Sequence, residues 1–112
     1  MNGTILDAPS DEADRAAQVD RTAADARAKQ EAEAHISDLR ARIDEIDETL
    51  ISLWQERAAI SREVGQTRVA AGGTRLVLSR EQEILDRFRD ALGPDGAQLA
   101  LLILRAGRGK LV

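Results

Sequence analysis

From Ile36 onward, large aliphatic side chains recur at spacings of three and four: Ile36, Leu39, Ile43, Ile46, Leu50 and Leu53, then Ile60 and Val64. That beat lines one face of an α-helix, and neither Pro nor Gly interrupts residues 36–64. Gly65 is a weak point, but helix-forming residues resume to Ala71, and the Gly72-Gly73 pair supplies a stop. The pattern predicts a helix over 36–70, about 52 Å long at 1.5 Å per residue. No other feature of the chain constrains its fold as strongly.

Two shorter helices follow. Ser79 with Gln82 three residues on reads as a capping box, which places Arg80 and Glu81 in the first turn. The predicted helix continues through Ile84, Leu85 and Phe88 to about Leu92, where Gly93-Pro94 ends it. A third is expected from near Asp95 through Leu99, Leu101, Leu102, Ile103 and Leu104, stopping before Gly107. Alternation of the strand kind is absent, and no segment repeats. The expected fold class is all-α, with one long helix and two short ones per chain. Two helices of about 20 Å each cannot cover an apolar stripe of about 52 Å. The long helix must therefore pack against another chain, and a homodimer is the simplest arrangement.

Residues 1–34 differ in kind. They hold eight acidic and four basic residues and almost no large apolar side chain after Leu6. Ala, Glu, Arg and Gln favour transient helix, but the segment has little to bury. It is expected to be a mobile extension without a catalytic role, leaving a helical domain over 35–112.

Composition removes several function classes. The chain has no cysteine and one histidine, His35, so thiolate chemistry, disulfides and a His cluster for a metal are not available. Two aromatic residues, Trp54 and Phe88, are too few for a base-stacking platform. No apolar run approaches the ~20 residues of a membrane span, and the N-terminus carries no secretory pattern; a cytoplasmic location is expected. Residues 35–112 balance twelve acids against twelve bases, eleven of them arginine. Arginine is suited to bidentate capture of carboxylates and phosphates. A neutral domain of this kind points to small anions rather than to nucleic acid, which selects a net basic surface.

Those arginines stand in telling places. Continuing the beat from Leu53 puts Arg57 on the apolar stripe, and Arg68 lies three turns further on nearly the same face. Burying a guanidinium without a counter-ion is costly. Either each pairs with a carboxylate or snorkels at a helix edge, or both line a pocket whose counter-ion is the ligand. Arg40 sits at the edge of the stripe, about 25 Å along the axis from Arg57. It can reach that site only from a second chain, and otherwise pairs with Asp44 one turn on. Arg80 opens a helix where a cation opposes the macrodipole, yet a helix N-terminus is also a ready anion site.

The segments LRARID at 39–44, ERAAISREVGQTR at 56–68, GGTRLVLSRE at 72–81, LGPDG at 92–96 and LRAGRGKL at 104–111 occur in the order and spacing of a known family. Residues 36–112 resemble the AroQ-type, all-helical chorismate mutases, in particular the short intracellular actinobacterial group. The resemblance implies an intertwined homodimer with two identical pockets and no metal or cofactor. It implies that Arg40 enters from the other subunit, that Arg57 and Arg80 bind substrate carboxylates, and that Arg68 contacts the ether oxygen of the breaking bond. Glu81 would accept from the ring hydroxyl, and Val77 would form part of the pocket wall. The implied reaction is the pericyclic rearrangement of chorismate to prephenate, in which the protein orients the substrate and stabilises charge on the ether oxygen.

The chain also departs from the enteric form of the family. Val77 stands where that form has an acidic residue, and its glutamine from the third helix has no counterpart at the corresponding place here. Short actinobacterial members share these features and are understood to be activated by DAHP synthase. The resemblance thus implies the same partner, with Arg105–Val112 and the 71–78 loop as adjustable parts. The alternatives are a 4-amino-4-deoxychorismate mutase or isochorismate pyruvate lyase on the same fold, or a non-catalytic helical regulatory dimer.

Overall fold

The computed structural model describes residues 3–109 and consists of three α-helices: α1 (Gly3–Ala70), α2 (Leu78–Leu92) and α3 (Pro94–Arg108). The chain divides into two compact units, Met1–Glu45 and Ile46–Val112, with α1 running through the boundary.

Among its described residues the first unit is helix alone. Its side chains from Asp11 to Glu45 are all exposed, and its bonds are local. Thr22 Oγ1 donates to the Gln18 carbonyl at 2.9 Å and Arg42 pairs with Glu45 at 3.0 Å. The stripe residues Ile36, Leu39 and Ile43 stand about half exposed. Helix therefore begins well before residue 36, where the apolar beat starts. The reason is local: between Thr4 and Val64 no glycine occurs, and the 11–34 segment is made mostly of good helix formers. The hydrophobic beat marks the face that can pack, and backbone propensity carries the helix past it.

In the second unit α1 ends in a Schellman arrangement. The N–H of Gly72 donates to the carbonyl of Val69 at 3.0 Å, and that of Gly73 to the carbonyl of Arg68 at 2.8 Å. Gly72 takes φ +87°, a conformation that favours glycine. The last turn, with Arg68 in it, is thereby tied to the loop that follows.

Helix α2 starts two residues earlier than a Ser79 cap requires. Val77 is the N-cap in extended conformation, and the N–H of Glu81 donates to its carbonyl at 3.1 Å. Ser79 lies inside the first turn and no side chain caps the helix. Gln82, the other half of the expected box, donates instead to Asp86 one turn on at 2.9 Å.

Gly93, at φ +76°, separates α2 from α3, and Pro94 occupies the first turn of α3, where its missing N–H costs nothing. The two helices pack closely. A Cβ on Gly96 would lie 2.1 Å from the Phe88 carbonyl oxygen, so only glycine permits this approach. Behind it sits the core of the unit: Ile84, Ala100 and Leu104, with Leu85 and Phe88 against them. Ala100 is fully covered. Helix α3 meets α1 at another close approach, where a Cβ on Gly107 would come within 2.5 Å of Ser61 Oγ. Gly107 is thus inside α3, one position before its last residue, and does not end the helix ahead of it.

Candidate active site

The last turns of α1, the 71–77 loop, the start of α2 and the end of α3 enclose an open cleft of about 300 Å³. Five arginines line it: Arg57, Arg68, Arg75, Arg80 and Arg108. Glu81 is the one carboxylate among the described lining residues. Ile60, Val64, Leu76, Val77, Ile84 and Leu104 supply apolar wall. A concave, partly apolar site with this excess of cation is built for a small polyanion.

Each functional side chain has an identifiable reason for its place. Arg57 and Arg68 share a face of α1 eleven residues apart, about 16 Å along the axis. Arg57 is half-buried, and its pKa is lowered from the ordinary value, chiefly by burial and further by the nearby Arg80 and Arg87. No carboxylate is paired with it among the described ion pairs. Arg75 reaches the cleft across Gly65, where a Cβ would come 3.0 Å from its Cγ. The glycine that weakens α1 as a helix is the notch through which the loop arginine crosses. Arg80, in the first turn of α2, holds a 3.2 Å contact to Glu83 on an exposed face while its side chain lines the cleft.

Glu81 is engaged most firmly. Arg108 Nε donates to its Oε1 at 2.8 Å and Arg108 Nη2 donates to its Oε2, a fork that joins the first turn of α2 to the last residue of α3. Both side chains are largely covered, at 29% and 18% exposure.

Of the residues the sequence singles out, Arg57, Arg68, Val77, Arg80 and Glu81 come together in this cleft. Arg40 does not belong to it. It is exposed in the Met1–Glu45 unit, in a shallow groove with Ile36, Ser37 and Asp44. Sequence reasoning did not single out Arg108 as a site residue and placed it only within the adjustable Arg105–Val112 segment. Its helical spacing held the signal: Ala100, Leu104 and Arg108 recur every four residues, so the arginine continues a buried face. Reading Gly107 as a helix stop concealed that register. Of the expected adjustable C-terminal segment, residues 110–112 lie outside the described residues.

Comparison with known proteins places the chain in a family. The family described as Chorismate mutase type II matches residues 39–103. The chain belongs to the type II chorismate mutase family. Its activity is accordingly that of a chorismate mutase, an isomerase. An intracellular chorismate mutase of Mycolicibacterium smegmatis is 54% identical over 76 residues, spanning 68% of this chain and 73% of that one. The intracellular chorismate mutase of Mycobacterium tuberculosis is 49% identical over 76 residues, spanning 68% of this chain and 71% of its own. Among solved structures, a chain of the non-covalent complex of DAHP synthase and chorismate mutase from Corynebacterium glutamicum, with bound transition state analog, superposes with a TM-score of 0.68. It is 41% identical and the match covers 72% of this chain and 98% of that one. Among the described residues no helix is long and apolar enough to cross a membrane.

Proposed function

We propose that this chorismate mutase binds its substrate in the arginine-lined cleft and works as a homodimer in which Arg40 of the second copy completes each site. The observation that carries this reading is the cleft itself: five guanidinium groups and one held carboxylate around a space of about 300 Å³. Chorismate has two carboxylates, a ring hydroxyl and an ether oxygen. Arg57 and Arg80 bind the carboxylates, and Glu81 accepts from the ring hydroxyl. Held at these points, the enolpyruvyl side chain faces the ring carbon with which it bonds. The protein thereby supplies orientation, an entropic contribution made before the chemical step.

As the carbon–oxygen bond breaks, negative charge grows on the ether oxygen. Arg68, anchored in the glycine-tied last turn of α1, meets that charge with a fixed cation and acts more strongly on the transition state than on the ground state. Val77 closes the wall where the loop enters α2. No nucleophile or proton shuttle is required, because the rearrangement is concerted.

The homodimer is supported by the stripe on α1. In the second unit Leu50 is 59% exposed, Leu53 55% and Ile60 53%, which is a great deal of aliphatic surface for one helix face to leave in water. A DAHP synthase is the further partner we propose, because the solved relative was captured in a complex with that enzyme. Residues 1–34 are taken as an extension outside the catalytic domain. The named intracellular relatives favour the same location for this chain.

The test is chorismate consumption by the purified chain, alone and mixed with a DAHP synthase from the same organism. Prephenate formation that rises on mixing is the expected result. A rate unchanged by mixing removes the partner, and no prephenate from either sample overturns the proposed use of the cleft.

A further inference from the structure

We propose that Arg108 is a positioning residue for the reaction, holding the Glu81 carboxylate in the orientation that accepts the substrate's ring hydroxyl. The proposal rests on the reading of Glu81 given above and extends it to a residue at the far end of the domain.

The pairs Arg42–Glu45, Arg80–Glu83 and Arg89–Asp86 each span a single turn of one helix, and their side chains are 43–69% exposed. Surface pairs of that kind contribute little. The Arg108–Glu81 pair spans 27 residues, links two helices, uses both carboxylate oxygens and lies mostly covered in the wall of the cleft. A bidentate fork fixes the plane of a carboxylate as a single contact cannot.

The fork leaves Glu81 able to work. An ionised carboxylate offers about four acceptor positions, two on each oxygen. Arg108 occupies one on each, so each oxygen keeps a lone pair for a hydroxyl arriving in the cleft. The contact therefore orients the acceptor without using it up. It also pairs a part-buried anion, which otherwise would turn toward one of the other cations around it.

The position of Arg108 is itself fixed. Gly107 presses against Ser61 of α1 with no room for a Cβ, which sets the height of the last turn of α3 on α1. Gly109, at φ +65°, ends the helix at the next residue. Arg108 thus projects from the end of a helix that is seated one residue earlier.

A merely structural bridge between α2 and α3 would serve every substrate alike, whereas a positioning role depends on the hydroxyl. The experiment measures kcat and KM of the full chain and of Arg108→Ala, Arg108→Lys and Glu81→Ala. Each is assayed on chorismate and on an analogue with hydrogen in place of the ring hydroxyl, with thermal melts to verify folding. The expected result is a loss of tenfold or more in kcat/KM on chorismate for Arg108→Ala, the scale of a lost charged hydrogen bond, and less than about threefold on the analogue. Arg108→Lys, which keeps the charge but cannot make the fork, should fall between and preserves a readable fold if the alanine variant does not. Equal losses on both substrates for the Arg108 variants, with Glu81→Ala still selective for chorismate, overturn the positioning role alone. Equal losses for Glu81→Ala as well overturn the reading of Glu81 on which it rests.

Discussion

Arg57 keeps its charge against its own surroundings: burial disfavours the guanidinium, and Arg80 and Arg87 add repulsion. A dianion in the cleft reverses that balance. Linkage then requires that whatever binds there also stabilises the fold, by RT ln(1 + [L]/Kd) or about 2.7 kcal/mol at a hundredfold excess over Kd. A rise in melting temperature with increasing concentration of a non-reacting dicarboxylate analogue is expected, and Arg57→Ala should abolish most of it. Arg68→Ala should behave differently. A cation that meets charge only in the transition state affects kcat more than substrate affinity, and removing it is expected to lower kcat on the order of a hundredfold or more. Steady-state kinetics on the two variants separate these roles. Arg57 stays protonated between neutral and moderately alkaline pH even with its pKa lowered by burial, so the ligand-induced stabilisation should not follow pH across that range.

The helices are joined through glycines, and two of these make falsifiable demands. At Gly96 a Cβ would fall 2.1 Å from the Phe88 carbonyl oxygen, which is backbone and cannot turn aside. Gly96→Ala must force α2 and α3 apart over Ala100 and Leu104. A destabilisation of about 3 kcal/mol, the upper part of the overpacking range, is expected in a denaturant titration. At Gly72 nothing lies near the position of a Cβ, but φ is +87°. Gly72→Ala should therefore cost only the left-handed strain, about 1 kcal/mol. If the Gly72 variant were the more damaged of the two, the close α2–α3 approach would be wrong. The capping box shows how an element boundary escapes sequence reading. Ser79 and Gln82 have the right spacing, yet Val77 in extended conformation starts α2 two residues sooner and Asp86 takes the Gln82 amide.

At the scale of the whole molecule the proposed dimer makes a quantitative prediction. If Arg40 acts in trans, Arg40→Ala and Arg68→Ala should each inactivate the enzyme. Mixing the two variants after unfolding and refolding should restore activity, because a mixed dimer pairs one intact cleft with one intact Arg40. Random pairing makes half of the dimers mixed, each with one of two sites whole, so recovery should approach about a quarter of the wild-type rate. No recovery would mean that Arg40 serves its own chain or no site at all. Sedimentation of Leu53→Asp tests the interface: a charge on the exposed stripe should shift the protein toward monomer.

Fold class was legible because an all-helical chain announces itself in the spacing of Ile36 through Val64 and in its punctuation by Gly72-Gly73 and Gly93-Pro94. Arg57 and Arg68 stood out for a physical reason that needs no coordinates, namely that charge on an apolar stripe is costly without a counter-ion. What periodicity cannot carry is the distance between elements. Gly65 reads as a weak point along the chain and Gly107 as a stop, and only the tertiary structure shows them as contact points, one crossed by Arg75 and the other seated on Ser61. The same limit hid Arg108, whose meaning depends on a carboxylate 27 residues away. Local sequence determines which face a residue occupies, because helical period is a property of one backbone. Which residues meet across two faces depends on packing, and packing is decided by the whole chain.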